Sequence, residues 1–166
     1  HGRDHLTKAA IALDKDARIT AIKVNTLANL GAYLSPFGSL VPTYNYAMML
    51  VGPYSIPNVF ADVTGVYTNT SPVDAYRGAG RPEATFVVET LIDNAANELG
   101  LDPGELRSRN LVLSEQIPYQ TPTGLVFDSG DFQAHFEKAL ERAQYFSFKE
   151  RQQESFKQGK KRCIGI

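Results

Sequence analysis

Apolar and polar residues alternate in two short stretches near the start of the chain. Ile11 and Leu13 mark one, Ile19, Ile22 and Val24 the other, and Asp14-Lys15-Asp16-Ala17 lies between them. A period of two around a cluster of turn formers predicts a β-hairpin over Ala9 to Val24, which Leu27 to Leu34 extend. Pro36 to Pro42 reads as loop, and the apolar run Tyr44 to Val51 is too short to separate a helix from a buried strand. Val59, Ala61, Val63, Gly65 and Tyr67 alternate again and predict a further strand. The period then changes. Val87, Leu91, Ala95 and Leu99 recur every four residues, and Val88, Ile92 and Ala96 broaden the stripe, so a helix runs from Pro82 to Leu99 and stops at Gly100. Asp102-Pro103-Gly104-Glu105 supplies a cap, a proline in the first turn and an acid three places after the cap, opening a second helix toward Asn110. Pro118 to Gly130 reads as extended loop and turn, and Phe132, Phe136, Leu140 and Ala143 mark one face of a helix over Asp131 to Tyr145. Strands followed by helices predict an α+β fold, a mixed or antiparallel sheet with several packed helices.

Length and charge narrow this picture. A chain of 166 residues that is 43% hydrophobic suits one domain with a moderate core. A net charge of −1 gives no general attraction to nucleic acid, and no apolar run reaches the roughly 18 to 20 residues of a membrane span. One cysteine excludes an internal disulfide and cannot by itself build a cysteine-rich zinc or iron–sulfur site, which agrees with a cytoplasmic location. Lys149 to Arg162 carries six Lys/Arg against two Glu, and reads as a solvated basic helix or connector over residues 149–162.

The chemistry concentrates where the β-rich half meets the helical half, in Ala75-Tyr76-Arg77-Gly78-Ala79-Gly80-Arg81-Pro82-Glu83. Gly78 and Gly80 reach backbone angles closed to other residues and hold no ligand away. Arg77 and Arg81 each offer a planar fork of donors to oxyanions, and a helix opening at Pro82 aims its first amides at the loop. Other candidates are weaker. His1, His5 and His135 have no metal spacing, and His1 and His5 belong to a ragged terminus. Glu83 and Glu89 fall on different faces of one helix and make no acid–base pair, Glu83 instead favouring the positive helix end. Asp128-Ser129-Gly130-Asp131 is ordinary turn and cap chemistry, and Ser71 and Ser129 lack a hydrolase nucleophile motif.

Gly65-Val66-Tyr67-Thr68-Asn69-Thr70 and Pro72 through Glu83, with Asn29-Leu30-Gly31-Ala32-Tyr33, Gly52-Pro53-Tyr54-Ser55-Ile56-Pro57-Asn58 and Asp102-Pro103 through Arg109-Asn110-Leu111, carry a resemblance. The chain resembles the molybdopterin-binding large subunit of the molybdenum hydroxylases: xanthine dehydrogenase, aldehyde oxidase and aerobic carbon monoxide dehydrogenase. It is most similar to the carbon-monoxide-dehydrogenase-like branch with Ala-Tyr-Arg-Gly-Ala-Gly-Arg. The resemblance implies that residues 1–166 are part of a larger molybdenum-cofactor-binding domain, inactive in isolation, with further catalytic segments on both sides.

It also implies a cofactor-binding loop of Tyr76, Arg77, Gly78, Ala79 and Gly80, in which Arg77 is catalytic and, with the amides of Gly78 and Ala79, holds the metal's oxygen and sulfur ligands. Asn45 and Ala79 would border the substrate pocket, where purine-oxidising relatives carry an arginine and an aromatic residue. Gly78 stands where the molybdenum–copper enzymes have a copper-binding cysteine, so no copper is expected, and no metal ligand is assigned within the chain. The implied cofactor is molybdopterin, as the cytosine dinucleotide. The implied partners are iron–sulfur and FAD subunits or domains, the rest of the large subunit and a small aldehyde or N-heterocyclic substrate. Two readings stand beside this one: a non-catalytic binding or assembly module of the same fold, and a binder of phosphate-containing ligands using Arg77, Arg81 and the helix start.

Overall fold

The computed structural model describes residues 3–166. Its fold is α+β, and its main sheet is mixed. Strand β1 (His5–Leu13) pairs antiparallel with β2 (Ile19–Gly31), and β2 pairs parallel with β3 (Val59–Tyr67), giving the order β1-β2-β3. The hairpin turn forms where predicted. The Asp14 carboxylate accepts the amides of Asp16 and Arg18, both at 2.9 Å, and Ala17 takes a left-handed φ of +58°. That turn is locked to the helical half by buried Asn110, whose side chain accepts the Ile19 amide at 2.8 Å and donates to the Ala17 carbonyl at 3.0 Å.

A parallel neighbour needs a crossover, and the segment from Ala32 to Asn58 provides it. Part of the stretch expected to be loop is helical. Val41–Asn45 forms a π turn closed by the Asn45 amide on the Leu40 carbonyl at 3.0 Å, and α1 (Tyr46–Met48) follows directly. Tyr44 to Val51 is therefore helix and turn, and it drops Tyr46, Leu50 and Val51 into the core.

Helix α2 (Arg81–Leu99) covers this core. Its most buried stripe is Ala84, Val88, Ile92, Ala95 and Ala96, whereas Val87 and Leu91 are half-buried and Leu99 is 51% exposed. The stripe is thus centred one position later than the four-residue repeat suggests, with Ala84 and Ala96 fully buried in the core. Gly100, at φ +66°, ends the helix. Helix α3 (Pro103–Asn110) is capped by Asp102, which accepts the amides of Gly104 and Glu105. Glu105 pairs with Arg109 instead of closing back on the cap.

Pro118 to Gly130 is not wholly irregular, since β4 (Tyr119–Gln120) and β5 (Val126–Phe127) pair across a turn held by Thr121 and Leu125. Helix α4 (Phe132–Arg142) is capped by Asp131, and α5 (Phe148–Lys157) follows with Phe156 exposed.

Candidate functional site

The segment after β3 is tied to the end of β2 by Asn29. Its side-chain oxygen accepts the Gly31 amide at 2.8 Å and the Thr68 hydroxyl at 2.7 Å, and its nitrogen donates to Asp4 at 2.9 Å and Thr70 at 3.1 Å. Gly31 is needed here. A Cβ at that position would lie 2.4 Å from the Ser71 carbonyl oxygen. The Val73 amide then bonds the Leu30 carbonyl at 3.2 Å, and the chain reaches the arginine loop.

Three consecutive residues of that loop have positive φ: Gly78 at +94°, Ala79 at +26° and Gly80 at +90°. The Ala79 amide donates to the Tyr76 carbonyl at 2.9 Å and the Arg81 amide to the Gly78 carbonyl at 3.0 Å, so the Ala79 N–H is engaged within the loop. The amides of Gly78 and Gly80 make no hydrogen bond among the described residues. Gly80 packs directly on the crossover, where an added Cβ would stand 2.7 Å from the Tyr46 nitrogen and 2.8 Å from the Asn45 Cβ. The fold therefore brings Asn45, at the end of the π turn, against the loop that carries Arg77. A π turn at such a place is a frequent mark of functional sites.

Arg77 is exposed, and its guanidinium has no hydrogen-bond or ion-pair partner among the described residues. Among the described residues Arg81, also exposed, reaches only the Gly78 carbonyl, at 3.5 Å. Helix α2 opens at Arg81, with Pro82 in its first turn and no side-chain cap on Gly80. The loop thus presents an unspent cation, free amides and a positive helix end on one short stretch, a donor set suited to an oxygen-rich anion.

Three neighbours carry no sequence signal for this role. Arg3 donates to the Arg77 carbonyl at 2.8 Å, lies 5.5 Å from the centre of the Tyr76 ring and approaches Glu83 at 3.7 Å. Glu83, read as a simple helix-end acid, is only 9% exposed, and its Oε2 has no partner among the described residues. His5 does not belong to a ragged terminus. It is half-buried in β1, edge-on to Tyr46 at 4.8 Å, with both ring nitrogens buried and without partners among the described residues. Burial lowers its pKa, against the opposing pull of Glu83 and Asp4.

A second polar cluster lies apart from the loop. The Tyr54 hydroxyl donates to both oxygens of Glu89 at 2.9 and 3.0 Å, and Arg107 donates to Glu89 and Asp93, both at 2.8 Å. Burial and the Glu89 charge push the Tyr54 hydroxyl far above its usual range. Burial opposes the Arg107 charge, but the hydrogen bond to Asp93 and the Glu89 carboxylate outweigh it, so its pKa is raised. The group borders a cleft of about 490 Å³ with Phe132, Phe136 and Ile166. Among the described residues no group of three or more His, Cys, Asp or Glu can hold a metal ion, and no helix is long and apolar enough to cross a membrane.

The profile of the molybdopterin cofactor-binding domain matches residues 1–111, which include the sheet, the crossover, the arginine loop and α3. The chain belongs to the molybdopterin cofactor-binding domain family. It is 37% identical over its whole length to the gamma subunit of the 6-hydroxypseudooxynicotine dehydrogenase complex of Paenarthrobacter nicotinovorans, covering 21% of that protein. It is 33% identical over 98% of its length to the carbon monoxide dehydrogenase large chain of Afipia carboxidovorans, again covering 21%. Among solved structures, quinoline 2-oxidoreductase from Pseudomonas putida 86 superposes with a TM-score of 0.88 at 32% identity, over 96% of this chain and 20% of that one. The chain spans about a fifth of the length of these family members.

Proposed function

We propose that this chain is part of the molybdenum-cofactor-binding subunit of an oxidoreductase that hydroxylates an aldehyde or N-heterocycle with oxygen derived from water. One observation carries the reading: an Arg77 and two amides without partners among the described residues, on a loop whose side-chain-free glycines fit an anionic, oxygen-rich group. When bound, molybdopterin supplies the centre that exchanges oxygen and two electrons with the substrate. Arg77 would hold a fixed positive charge toward the group and would stabilise developing negative charge without reorganisation. The Gly78 and Gly80 amides add oriented dipoles, and Tyr76 forms the loop's exposed edge. Ala79 and Asn45 border the substrate. The small Ala79 leaves room for a ring, and Asn45 supplies an uncharged amide that favours a neutral ligand.

Gly78 offers no thiolate, the ligand that copper(I) prefers, so the site works without copper. Family resemblance supports the cytosine dinucleotide form of the cofactor, iron–sulfur and FAD partners that take up the electrons, and the remainder of a larger subunit around this chain, and the single cysteine agrees with a cytoplasmic location. Metal analysis of the assembled enzyme, paired with oxidation assays, tests the reading. Molybdenum without copper, and turnover of aldehydes or N-heterocycles, is the expected result. Stoichiometric copper with carbon monoxide oxidation would overturn it.

A further inference from the structure

We propose that Arg3 is a positioning residue that sets the orientation of the Arg77–Gly78 peptide and, through it, the stance of the arginine loop. The inference rests on the reading of that loop as cofactor-facing.

Packing of Gly80 on the crossover fixes the far end of the loop, but the Tyr76–Gly78 end has fewer ties. The loop's left-handed residues include Ala79, for which such a φ is unfavourable, and its backbone bonds, Ala79 to Tyr76, Arg81 to Gly78 and Ala84 to Gly80, stay within the loop and the helix it opens. The Ala75 amide is spent on the adjacent Asp74 carboxylate. Arg3, just ahead of β1, is the described side chain that hydrogen-bonds the Tyr76–Gly78 end of the loop from a distant part of the chain. It contacts three groups at once: the Arg77 carbonyl through Nη2 at 2.8 Å, the Tyr76 ring at 5.5 Å and Glu83 Oε1 through Nε at 3.7 Å. The guanidinium plane suits this combination, since one edge can donate while a face lies toward an aromatic ring.

Planarity of the peptide unit then gives the tether its consequence. In a trans peptide the carbonyl of one residue and the N–H of the next point in opposite directions. Arg3 draws the Arg77 carbonyl toward the β1 side, so the Gly78 N–H is turned away from β1 and is left free for a ligand. Glu83 completes the device from the first turn of α2. Its carboxylate is nearly buried and turned to Arg3 by one oxygen, while the other has no competing donor among the described residues. Arg3 itself sits at φ +63°, a conformation a non-glycine residue keeps when its surroundings demand it.

The test compares Arg3→Ala, Arg3→Lys and Arg77→Ala in the assembled enzyme, with turnover, molybdenum content and hydrogen exchange of the Gly78 amide measured together. Arg3→Ala is expected to lower kcat about 10- to 100-fold, the scale of a small misplacement of a catalytic group. KM and molybdenum content should be nearly unchanged and Gly78 exchange faster. Added guanidinium ion should restore part of the rate, a rescue that a purely structural lesion does not show. Arg3→Lys keeps the charge just ahead of β1, guards against a folding failure and should fall between wild type and Ala. Unchanged kcat and unchanged exchange in Arg3→Ala, with Arg77→Ala inactive, would overturn the role of Arg3 alone. Faster Gly78 exchange with full turnover in Arg3→Ala and in Arg77→Ala would overturn both this role and the cofactor-facing loop.

Discussion

Arg77 and Arg107 are the same residue type put to opposite uses. Arg107 is 2% exposed, and its charge is consumed by Glu89 and Asp93, with Tyr54 closing the network from the other side. Arg77 stands on a strained, solvent-facing loop, and no described acid neutralises it. A buried cation with its acids in place holds elements together, here α2 and α3. A cation left without an acid, on backbone that costs free energy to maintain, stores its charge for something else. The number of partners, more than residue type, separates the two roles.

The most direct way to break this contrast is to remove both cations in turn. Arg107→Met leaves Glu89 without its charge partner beside a buried hydroxyl, and should cost about 3–5 kcal/mol in urea unfolding of the chain. Arg77→Ala should leave stability within about 0.5 kcal/mol while lowering turnover of the assembled enzyme by about 10²- to 10³-fold at equal molybdenum content. Arg77→Lys, which keeps the charge and loses the fork, should lose less. Similar unfolding midpoints for Arg107→Met and wild type, or full turnover in both Arg77 variants, would erase the distinction.

Glycine substitutions sharpen the loop side of the comparison. Gly80 and Gly124 share nearly the same φ, +90° and +92°, but a Cβ at Gly80 meets the Asn45–Tyr46 backbone whereas at Gly124 it meets nothing within 4 Å. Gly124→Ala should therefore cost about 1–2 kcal/mol for handedness alone, and Gly80→Ala clearly more, with turnover lost as the loop shifts off the crossover. Equal unfolding midpoints for the two would show that the contact is dispensable. On the Arg107 side, Tyr54→Phe removes one hydroxyl but leaves the Arg107–Glu89 pair intact, so about 1 kcal/mol is expected. A loss as large as that of Arg107→Met would mean that the hydroxyl, not the guanidinium, anchors the cluster.

The smallest effect concerns pH. Burial places the folded pKa of His5 below its ordinary value of 6.5. Between those two values the unfolded chain binds more protons than the folded one, so stability is complete above about pH 6.5, declines as pH falls through that value and levels off below the folded pKa. Urea unfolding from pH 8 to 5 should show this slope reduced in His5→Asn. An identical slope in both proteins would remove His5 as its source.

How much of this was visible beforehand follows from the range of the signals. The hairpin turn at Asp14, the stop at Gly100 and the caps at Asp102 and Asp131 were legible because each is decided by residues a few positions apart. The Arg-Gly-Ala-Gly stretch was legible for the same reason. The parallel pairing of β2 with β3 was not, since no local period encodes a strand's neighbour across a crossover. The π turn was obscured by Pro36 and Pro42, and the phase of the buried stripe on α2 was set by the tertiary packing that buries Ala84 and Ala96. His5 lacked metal spacing and lay near the start of the chain, yet its environment comes from Tyr46 and Glu83. Arg3 gave no pattern because each of its partners is distant in sequence.

The bond between Arg3 and the Arg77 carbonyl spans 74 positions, and the packing of Gly80 on Asn45 joins the loop to a segment on the far side of β3. Contacts of such separation carry a chain-closure entropy that only the rest of the structure offsets. No short peptide containing Arg77 can reproduce the loop's stance, because the residues that impose it arrive from just ahead of the first strand and from the middle of the crossover. The site is consequently a readout of complete tertiary folding, and a ligand that recognises it discriminates a finished domain from an unfinished one.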